Sequence, residues 1–469
     1  MLSNIKQSLR TLFVYKSALG GLTIILILVG ISIYTLFAIP YDNATKLWRA
    51  GEQYWLDSPR NAMPSWVNLF SSKKMPETLI LDTQQPQPGV SKALIPVSNK
   101  FTRIKIEFSF NYEYDDFPSE LNLFFNSKFN TSAPQLTIHW VKPNGEDIVL
   151  KSLMVSRGED RYYISNDDRL AKELKNMVSR KINGTIGYDI PITILLFASE
   201  DSSILNPSTV KVMKGNYKLW IDGVVFEADV NLDAKLVVYG KVYGWAGTDH
   251  LRRDLSIALL WGTPIALSFG VVASVSIALI QMFIGAVSAW FGGKADSLLQ
   301  RITEVFMVLP FLPILIMIST FYKFNIWILL LVVIMLSIFG GSVKNYRAMF
   351  LQIKEFPYIE ASRAYGASNL RILTHYLIPK VLPTVIPSIV LSVADFVFLE
   401  AALAILGLGD PLAPTWGKII NDAYSNGALY KGLYYWVLEP SLMLTITSLS
   451  FAMLGFALDK IFNPKLREM

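Results

Sequence analysis

The sequence predicts an α-helical polytopic membrane protein that carries a large, mainly-β extracellular domain inserted after its first span. Three observations lead to this fold class. Only 17% of the 469 residues are charged, against about a quarter in soluble domains, and the mean hydropathy is +0.38. Two long stretches, 20–39 and 255–293, contain no charged residue. Between them, residues 41–245 have a soluble composition, with 24 Lys and Arg against 24 Asp and Glu.

The composition also excludes several classes of protein. A disordered or collagen-like chain would not be 52% hydrophobic. The chain contains no cysteine, which excludes disulfides, thiolate zinc sites and a cysteine nucleophile. Its three histidines leave little room for a histidine-rich metal site. We therefore predict neither catalytic residues nor a metal site.

Residues 20–39 predict the first membrane span. About 20 residues at about 1.5 Å each cross a hydrocarbon core of about 30 Å. A cleaved signal peptide is the alternative, but Pro40-Tyr41-Asp42 follows the apolar run instead of a small-residue cleavage site. Three basic residues and no acid precede the run. We therefore place residues 1–40 as a cytoplasmic N-terminus with one span, and residues 41–245 outside the cell.

Residues 41–245 predict a sandwich-like domain. From 104 to 114 apolar and polar residues alternate strictly, which is the pattern of a half-buried strand. The strand-like segments 136–141 and 148–155 flank Pro143-Asn144-Gly145, which predicts a hairpin. The other expected elements are strands over 218–243, broken at Gly223 and Gly240, and a helix over 167–181 introduced by Ser165.

The remaining segment, 246–469, predicts a membrane-embedded core with five more spans. The charge-free run 255–293 is too long for one span, and Gly262-Thr263-Pro264 is expected to end a short interfacial helix before the second span. Pro310 and Pro313 are expected to kink the third span. The predicted spans are 266–290, 305–322, 324–343, 381–408 and 440–458.

The charges support this topology. The segments placed in the cytoplasm, 1–19, 292–304, 342–382 and 459–469, hold 14 Lys and Arg against six Asp and Glu. The external pieces after residue 245 are neutral in sum. Because basic residues accumulate on the cytoplasmic side of a cell membrane, both termini are predicted to be cytoplasmic. The net charge of +6 therefore reflects topology and membrane lipid, and we expect no nucleic acid partner.

The most basic cytoplasmic segment, 342–382, contains the clearest functional pattern. Glu360-Ala361-Ser362 is followed after three residues by Gly366, and then by Pro379. Small residues let another helix approach closely, and glycine permits a sharp turn after the helix. The pattern resembles the EAA loop of ABC importer permeases. A basic juxtamembrane helix held by anionic lipid headgroups is the alternative interpretation.

Three further segments resemble the C-type permease subunits of dipeptide and oligopeptide importers. Residues 247–254 are similar to a Gly-Thr-Asp…Gly-Arg-Asp segment, with Arg252 in place of the family's glycine. Residues 290–301 resemble the Gly-Gly-x-x-Asp…Arg turn of the family. Residues 400–417 resemble its Glu-Ala-x-Leu-Ser-Phe-Leu-Gly-Leu-Gly segment with the following Pro and Trp-Gly. The resemblance does not cover 41–245.

The resemblance implies the ABC importer permease fold and a pore for peptides or oligosaccharides delivered by an external binding protein. It implies three kinds of partner: a homologous B-type permease subunit, two cytoplasmic ATPase subunits and that binding protein. In the family, the EAA loop is a coupling helix that docks on the ATPase. The residues of this chain that it assigns to ATPase coupling are Glu360, Ala361, Ser362, Arg363, Ala364, Gly366 and Ala367.

The chain contains no Gly-x-x-x-x-Gly-Lys-Ser/Thr phosphate loop. ATP and Mg²⁺ would therefore be bound by the partner subunits, and this chain would hold no cofactor. We predict that it is a pore-forming subunit and not an enzyme.

Two acids lie in the predicted fifth span, Asp395 and Glu400. A charge at membrane depth is costly and usually faces a cavity or a partner. Both are candidates for pore lining or for a subunit interface. For Glu400, hydration or local bonding at the outer end of the span is the alternative.

Two other functions are compatible with parts of the sequence. The first is a membrane-anchored receptor or binding module in which the extracellular β domain binds the ligand, although an anchor needs only one span rather than six. The second is an ion-coupled secondary transporter that uses Asp395 and Glu400. For the inserted domain itself, we predict docking of the binding protein or capping of the pore entrance.

Overall fold

The computed structural model describes residues 15–98, 101–227, 230–322 and 325–462. The chain divides into two compact units. We call the unit of Met1–Arg49 with Leu255–Met469 the membrane unit, and the unit of Ala50–Asp254 the inserted unit. Each boundary lies nine residues beyond the predicted one. The predicted cytoplasmic residues 1–14 and 463–469 lie outside the described residues.

The first two helices belong to the membrane unit. Helix α1 spans Lys16–Ala38, and α2 spans Tyr41–Arg49. The Trp261 indole N–H donates to the carbonyl of Ile39 at 3.0 Å, and the Tyr41 ring packs edge-on against the Trp261 ring. These contacts attach α2 to the membrane unit and explain why the first boundary falls after Arg49.

The second unit is a β-sandwich. One sheet has the strand order β1-β9-β4-β7 and the other β2-β3-β8-β5-β6, and every neighbouring pair is antiparallel. One apolar core joins the sheets around Phe108, Trp140 and Tyr217. The elements are β1 Leu79–Asp82, β2 Val90–Ser98, β3 Phe101–Tyr112, β4 Glu120–Lys128, β5 Gln135–Val141, β6 Asp147–Met154, β7 Gly158–Tyr163, α3 Asp168–Lys181, α4 Ile192–Phe197, β8 Gly215–Val225 and β9 Asn231–Tyr239.

The strand predictions hold with one correction. The alternating segment forms β3, and β5 pairs with β6 around the predicted turn. The predicted break at Gly223 is wrong, because β8 continues to Val225. Gly223 lies opposite Leu136, and a Cβ there would collide with the Leu136 side chain. This glycine therefore serves close packing rather than a turn.

The predicted cap of α3 is also wrong. The Asp167 carboxylate, not the Ser165 hydroxyl, accepts the backbone N–H of Leu170 at 3.2 Å. The Ser165 hydroxyl instead accepts the backbone N–H of Leu121 at 2.7 Å and so joins a short helical turn to β4. Asp167 is the stronger cap because its charge also suits the helix N-terminus.

Residues 246–254 belong to the inserted unit. Thr248 donates its hydroxyl to the carbonyl of Pro59 at 2.7 Å. Arg252, with φ of 65° and 1% exposure, pairs with Glu52 at 3.0 Å and with Glu120, and its guanidinium lies 4.4 Å from the centre of the Tyr239 ring. The arginine in the family's glycine position therefore occupies a left-handed conformation that glycine adopts freely, and it binds this segment into the inserted unit.

Helix α5, Leu255–Phe291, is uninterrupted, so the predicted interfacial helix ending at Gly262 is wrong. The helix passes through Pro264 because neighbouring packing holds these turns. The Trp416 indole N–H donates to the carbonyl of Leu259 at 2.9 Å, and the Trp416 ring covers Gly262 so closely that a side chain would not fit.

Two predicted spans are bent helix pairs. Helices α6, Gly293–Val308, and α7, Phe311–Phe321, meet at 77°, and α8, Ile326–Ser337, meets α9, Ser342–Lys354, at 54°. The third span is therefore not one kinked helix, because Leu309 and Pro310 adopt extended backbone. Among the described residues four helices are long and apolar enough to cross a membrane, or up to six if each bent pair is one span.

The remaining helices follow the predicted order. They are α10 Pro357–Ala364, α11 Asn369–Ile372, α12 Ile378–Ile405, α13 Trp416–Ser425 and α14 Tyr435–Phe462. A π-helical turn, Leu373–Leu377, joins α11 to α12, so that one apolar helix of 37 residues runs from Asn369 to Ile405.

Candidate functional site

The predicted coupling segment folds as α10, and the sequence explains both of its ends. Pro357 occupies the first turn, where a missing N–H costs nothing. After the last turn, Gly366 has a φ of 77°, and the N–H of Ala367 donates to the carbonyl of Ser362 at 3.1 Å. This left-handed ending favours glycine strongly over any residue with a Cβ.

Helix α10 has one buried and one exposed face. Ile359 is fully buried in a cluster that includes Trp290 and Phe350, and the buried Ser362 hydroxyl donates to the carbonyl of Ile359 at 2.8 Å. The other residues assigned to coupling are exposed, apart from the partly buried Ala367: Glu360, Ala361, Arg363, Ala364 and Gly366. The buried face therefore fixes the helix while the exposed face stays available.

Trp290, at the end of α5, contacts α10 and the segment that follows it. The Arg363 guanidinium lies 4.2 Å from the centre of the Trp290 ring, a cation–π contact. The Trp290 indole N–H donates to Asn369 Oδ1 at 3.1 Å. Lys354 donates to the carbonyls of Ala289 and Trp290 at 3.2 and 3.3 Å. The end of a membrane helix is thus bonded to the segments on both sides of α10.

A second link joins α6 to α9. Arg347 Nε donates to Asp296 Oδ1 at 2.6 Å, a second guanidinium N–H donates to the other carboxylate oxygen, and the Ser288 hydroxyl also donates to this carboxylate. Asp296 is the aspartate of the Gly-Gly-x-x-Asp segment. No local sequence pattern indicates this partner, because 51 residues separate Asp296 from Arg347.

Four apolar residues around α10 were missed by the sequence reasoning. Tyr365 is 92% exposed and Leu370 63% exposed, and Phe356 and Tyr358 are about half as exposed as Tyr365 or less. Together with Glu360 and Arg363 they form what we call the coupling face. The density of aromatic residues in 356–365 was the signal that could have revealed it, since exposed aromatic groups mark interfaces.

A polar cleft lies within the membrane unit. Its volume is about 400 Å³, and its walls come from α5, the two bent pairs and α12. The Ser274 hydroxyl donates to the carbonyl of Ile389, and the Gln281 amide donates to the carbonyl of Ser337 at 2.7 Å. The polar lining residues are Ser274, Gln281, Ser337, Ser342, Tyr346, Ser388 and Ser392.

The two membrane acids occupy different surroundings. Asp395 is exposed on α12, three residues beyond Ser392 of the cleft. Glu400 is 2% exposed and hydrogen-bonds to the Thr415 side chain, so in this conformation it does not reach the surface. Of the two, Asp395 therefore has the position that a pore or interface residue requires. No group of three acids or histidines able to hold a metal ion occurs among the described residues.

The chain is similar to a family of known membrane proteins. The family model for the binding-protein-dependent transport system inner membrane component matches residues 281–468. The dipeptide transport system permease protein DppC of Bacillus subtilis is 32% identical over 228 residues, which cover 48% of this chain and 69% of the relative. The oligopeptide transport system permease protein OppC of the same organism is 30% identical, over 48% of this chain and 72% of the relative. The peptidoglycan transport system permease protein YejE of Agrobacterium fabrum is 30% identical, over 47% of this chain and 57% of the relative.

The chain therefore belongs to the family of inner membrane components of binding-protein-dependent transport systems. Within this family it is a C-type permease subunit of an ABC importer, of the dipeptide and oligopeptide group. Its relatives are named as permease proteins rather than enzymes. This membership favours the ABC permease over the receptor and the ion-coupled transporter.

Proposed function

We propose that the chain forms half of the substrate pathway of a peptide importer. It pairs with a homologous B-type permease subunit, receives short peptides from an external binding protein, and couples their passage to two cytoplasmic ATPase subunits that bind ATP and Mg²⁺. Peptide is preferred to oligosaccharide as substrate because dipeptide and oligopeptide are the words in the names of the relatives that the chain matches.

The observation that carries the proposal is the construction of the coupling face. Its helix is fixed by a buried isoleucine, by the Arg363–Trp290 contact and by a glycine ending. It nevertheless exposes Glu360, Tyr365 and Leu370. A rigid helix with an exposed aromatic and charged face is suited to dock in a groove of a partner and to transmit its movement. A lipid-bound helix would instead expose mainly basic residues.

The polar cleft supports the pathway assignment. Hydroxyl and amide groups in a membrane are costly unless they face one another, water or a polar substrate. The lining groups are neutral donors and acceptors, which suits the backbone amides of a peptide. Asp395 next to the cleft would meet the substrate or the B-type subunit.

The topology follows from the same proposal. Each bent pair counts as one span, which gives six, with both termini in the cytoplasm and residues 50–254 outside the cell. In this position the inserted unit docks the binding protein or caps the pore entrance. Deletion of residues 55–245 tests this role: unchanged peptide uptake together with unchanged binding-protein affinity would contradict it.

The test of the function is uptake by the reconstituted complex. Vesicles that contain both permease subunits and the ATPases should accumulate a labelled tetrapeptide only with binding protein outside and ATP inside. An ion gradient without ATP should give no uptake. Uptake driven by the gradient alone would establish the ion-coupled transporter instead, and peptide binding without any uptake would establish the receptor.

A further inference from the structure

The face of the four-stranded sheet in the inserted unit carries a groove made of two adjoining cavities. The first has a volume of about 310 Å³ and the second about 680 Å³. Both lie within residues 50–254. They share four lining residues, Gln53, Tyr54, Leu56 and Arg161, so the two cavities lie side by side. Their volumes lie in the range of small-ligand sites.

The two halves of the groove differ in charge. The smaller half, which we call the acidic half, is lined by five acids and two bases: Asp57, Asp82, Glu159, Asp160, Asp233, Arg161 and Lys235. The larger half, the arginine half, is lined by three arginines and two acids: Arg60, Arg161, Arg252, Glu52 and Glu120. A zwitterion with separated ends would find a complementary charge at each end.

Ion pairs already occupy part of the acidic half. Lys235 pairs with Asp57 at 2.5 Å, and Asp233 pairs with Lys92 at 2.5 Å. Asp82 instead accepts the backbone N–H of Gln84 at 2.9 Å, and Asp160 accepts the backbone N–H of Ser156 at 2.7 Å. Backbone donors fix these two carboxylates and leave acceptor capacity for an ammonium group.

Arg161 lies between the halves and is the guanidinium best placed to meet a ligand. Its contact with Glu159 is 3.7 Å, longer than a hydrogen bond, and the Glu159 side chain is 81% exposed. Arg252, by comparison, is engaged with Glu52, Glu120 and the carbonyl of Ser58. Tyr54, Phe124 and Tyr163 add aromatic walls.

We propose that this groove binds short peptides with free termini, with the α-ammonium in the acidic half and the α-carboxylate on Arg161. The proposal rests on the proposed function, because it makes the inserted unit a second contact for the transported substrate. Arginine recognises a carboxylate through two parallel hydrogen bonds. The peptide backbone would lie against Tyr54, which is 65% exposed.

Calorimetry with the full-length chain in lipid nanodiscs, without binding protein, tests the groove. The probes are tetra-alanine with free termini, its C-terminal amide and its N-acetyl form. The free peptide should bind, and each blocked form should bind at least about tenfold more weakly, since each loses a charge-assisted contact. Arg161→Gln should weaken the free peptide by a similar factor and abolish the difference between acid and amide, and Arg161→Lys should restore part of it.

Arg169→Gln is the matched control, because Arg169 is an 87% exposed arginine of the same unit that pairs with Glu173. It should bind like the wild type. Equal binding of acid and amide, or wild-type binding by Arg161→Gln, would overturn the proposal, as would the absence of tetra-alanine binding. ATP-driven uptake by the whole complex is measured in parallel. If the wild-type complex takes up peptide but the groove fails these binding tests, only the proposed peptide site in the groove is refuted. If the wild-type complex shows no ATP-driven peptide uptake, the proposed function itself is contradicted.

Discussion

Asp296 and Arg347 form a two-bond ion pair between α6 and α9. Both oxygens of the carboxylate accept guanidinium N–H groups, and Ser288 adds a third donor. The side chains are 18% and 31% exposed. The pair therefore joins the start of α6, directly after α5, to α9, the helix that leads into α10.

Loss of this pair should weaken coupling. Asp296→Asn and Arg347→Gln each remove a charge-assisted bond, which costs about 1.5–3 kcal/mol of stability per bond in general. We expect a lower melting temperature and a lower ratio of peptide transported to ATP hydrolysed. Lys344→Gln is the control, since its pair with Glu304 is 41% and 60% exposed. Wild-type coupling in both Asp296→Asn and Arg347→Gln would show that the link is dispensable.

Tyr365→Ala should weaken ATPase binding without loss of stability. The side chain is 92% exposed, so its removal leaves no cavity in this chain. Exposed aromatic residues are frequent interface anchors, and truncation of one costs about 2 kcal/mol or more of binding free energy. Co-purification of the ATPase in detergent measures the effect. The control is Tyr430→Ala, a 99% exposed tyrosine outside the coupling face, and an equal response of the two variants would contradict the prediction.

Gly366→Ala should destabilise the end of α10. Steric crowding is not the reason, because within the described part of the chain no atom beyond the two adjacent residues lies within 4 Å of the added Cβ. The φ of 77° is unfavourable for alanine and costs about 1 kcal/mol. Gly30→Ala is a matched control with the same open space but a helical backbone, where alanine is favoured by about 1 kcal/mol. Melting curves should shift in opposite directions, and a shift of the same sign would refute the stated cause.

The inserted unit should lose stability in acid through Glu200. This carboxylate pairs with the buried Lys142 at 2.7 Å and with Lys181 at 2.8 Å. Burial alone would raise the pKa of Glu200, but the ammonium groups of Lys142 and Lys181, which donate hydrogen bonds to its carboxylate, outweigh burial and lower the pKa from 4.5 to about 2. Because the folded pKa is below the unfolded one, the stabilisation is complete above about pH 4.5 and is lost as the pH falls towards about 2.

Hydrogen exchange of α3 and β5 amides between about pH 5 and about pH 2.5 measures this loss. Glu200→Gln should be less stable at the upper pH and should show a smaller further loss on acidification. Glu173→Gln, which alters an exposed pair on α3, serves as the control and should follow the wild type. An acid response of Glu200→Gln equal to that of the wild type would contradict the assignment.

Local patterns predicted those parts of the fold that depend on neighbours in sequence. The alternation in 104–114 became β3, and the Pro143-Asn144-Gly145 turn joined β5 to β6. Glycine at 366 ended α10 as its conformational freedom suggested. These features are decided by side-chain period and backbone preference, which the sequence states directly.

Features decided by distant partners could not be predicted. Pro264 lies inside a continuous helix because Trp416, far along the chain, packs on Gly262. Arg252 is bound by Glu52 and Glu120, which no spacing rule connects to it. Similarly, the buried Glu400 carboxyl group has its hydrogen-bond partner in Thr415, 15 residues further along the chain. Each case is a tertiary contact that overrides the local preference.

The measurement that tests the central claim most directly is cross-linking of the coupling face to the ATPase. The chain has no cysteine, so Ala361→Cys introduces a single thiol on the exposed side of α10. Labelled with a maleimide photo-cross-linker in the assembled complex, it should attach to an ATPase subunit, whereas Asn144→Cys in the β5–β6 turn should not. Attachment at residue 144 but not at residue 361, or at neither, would contradict the account.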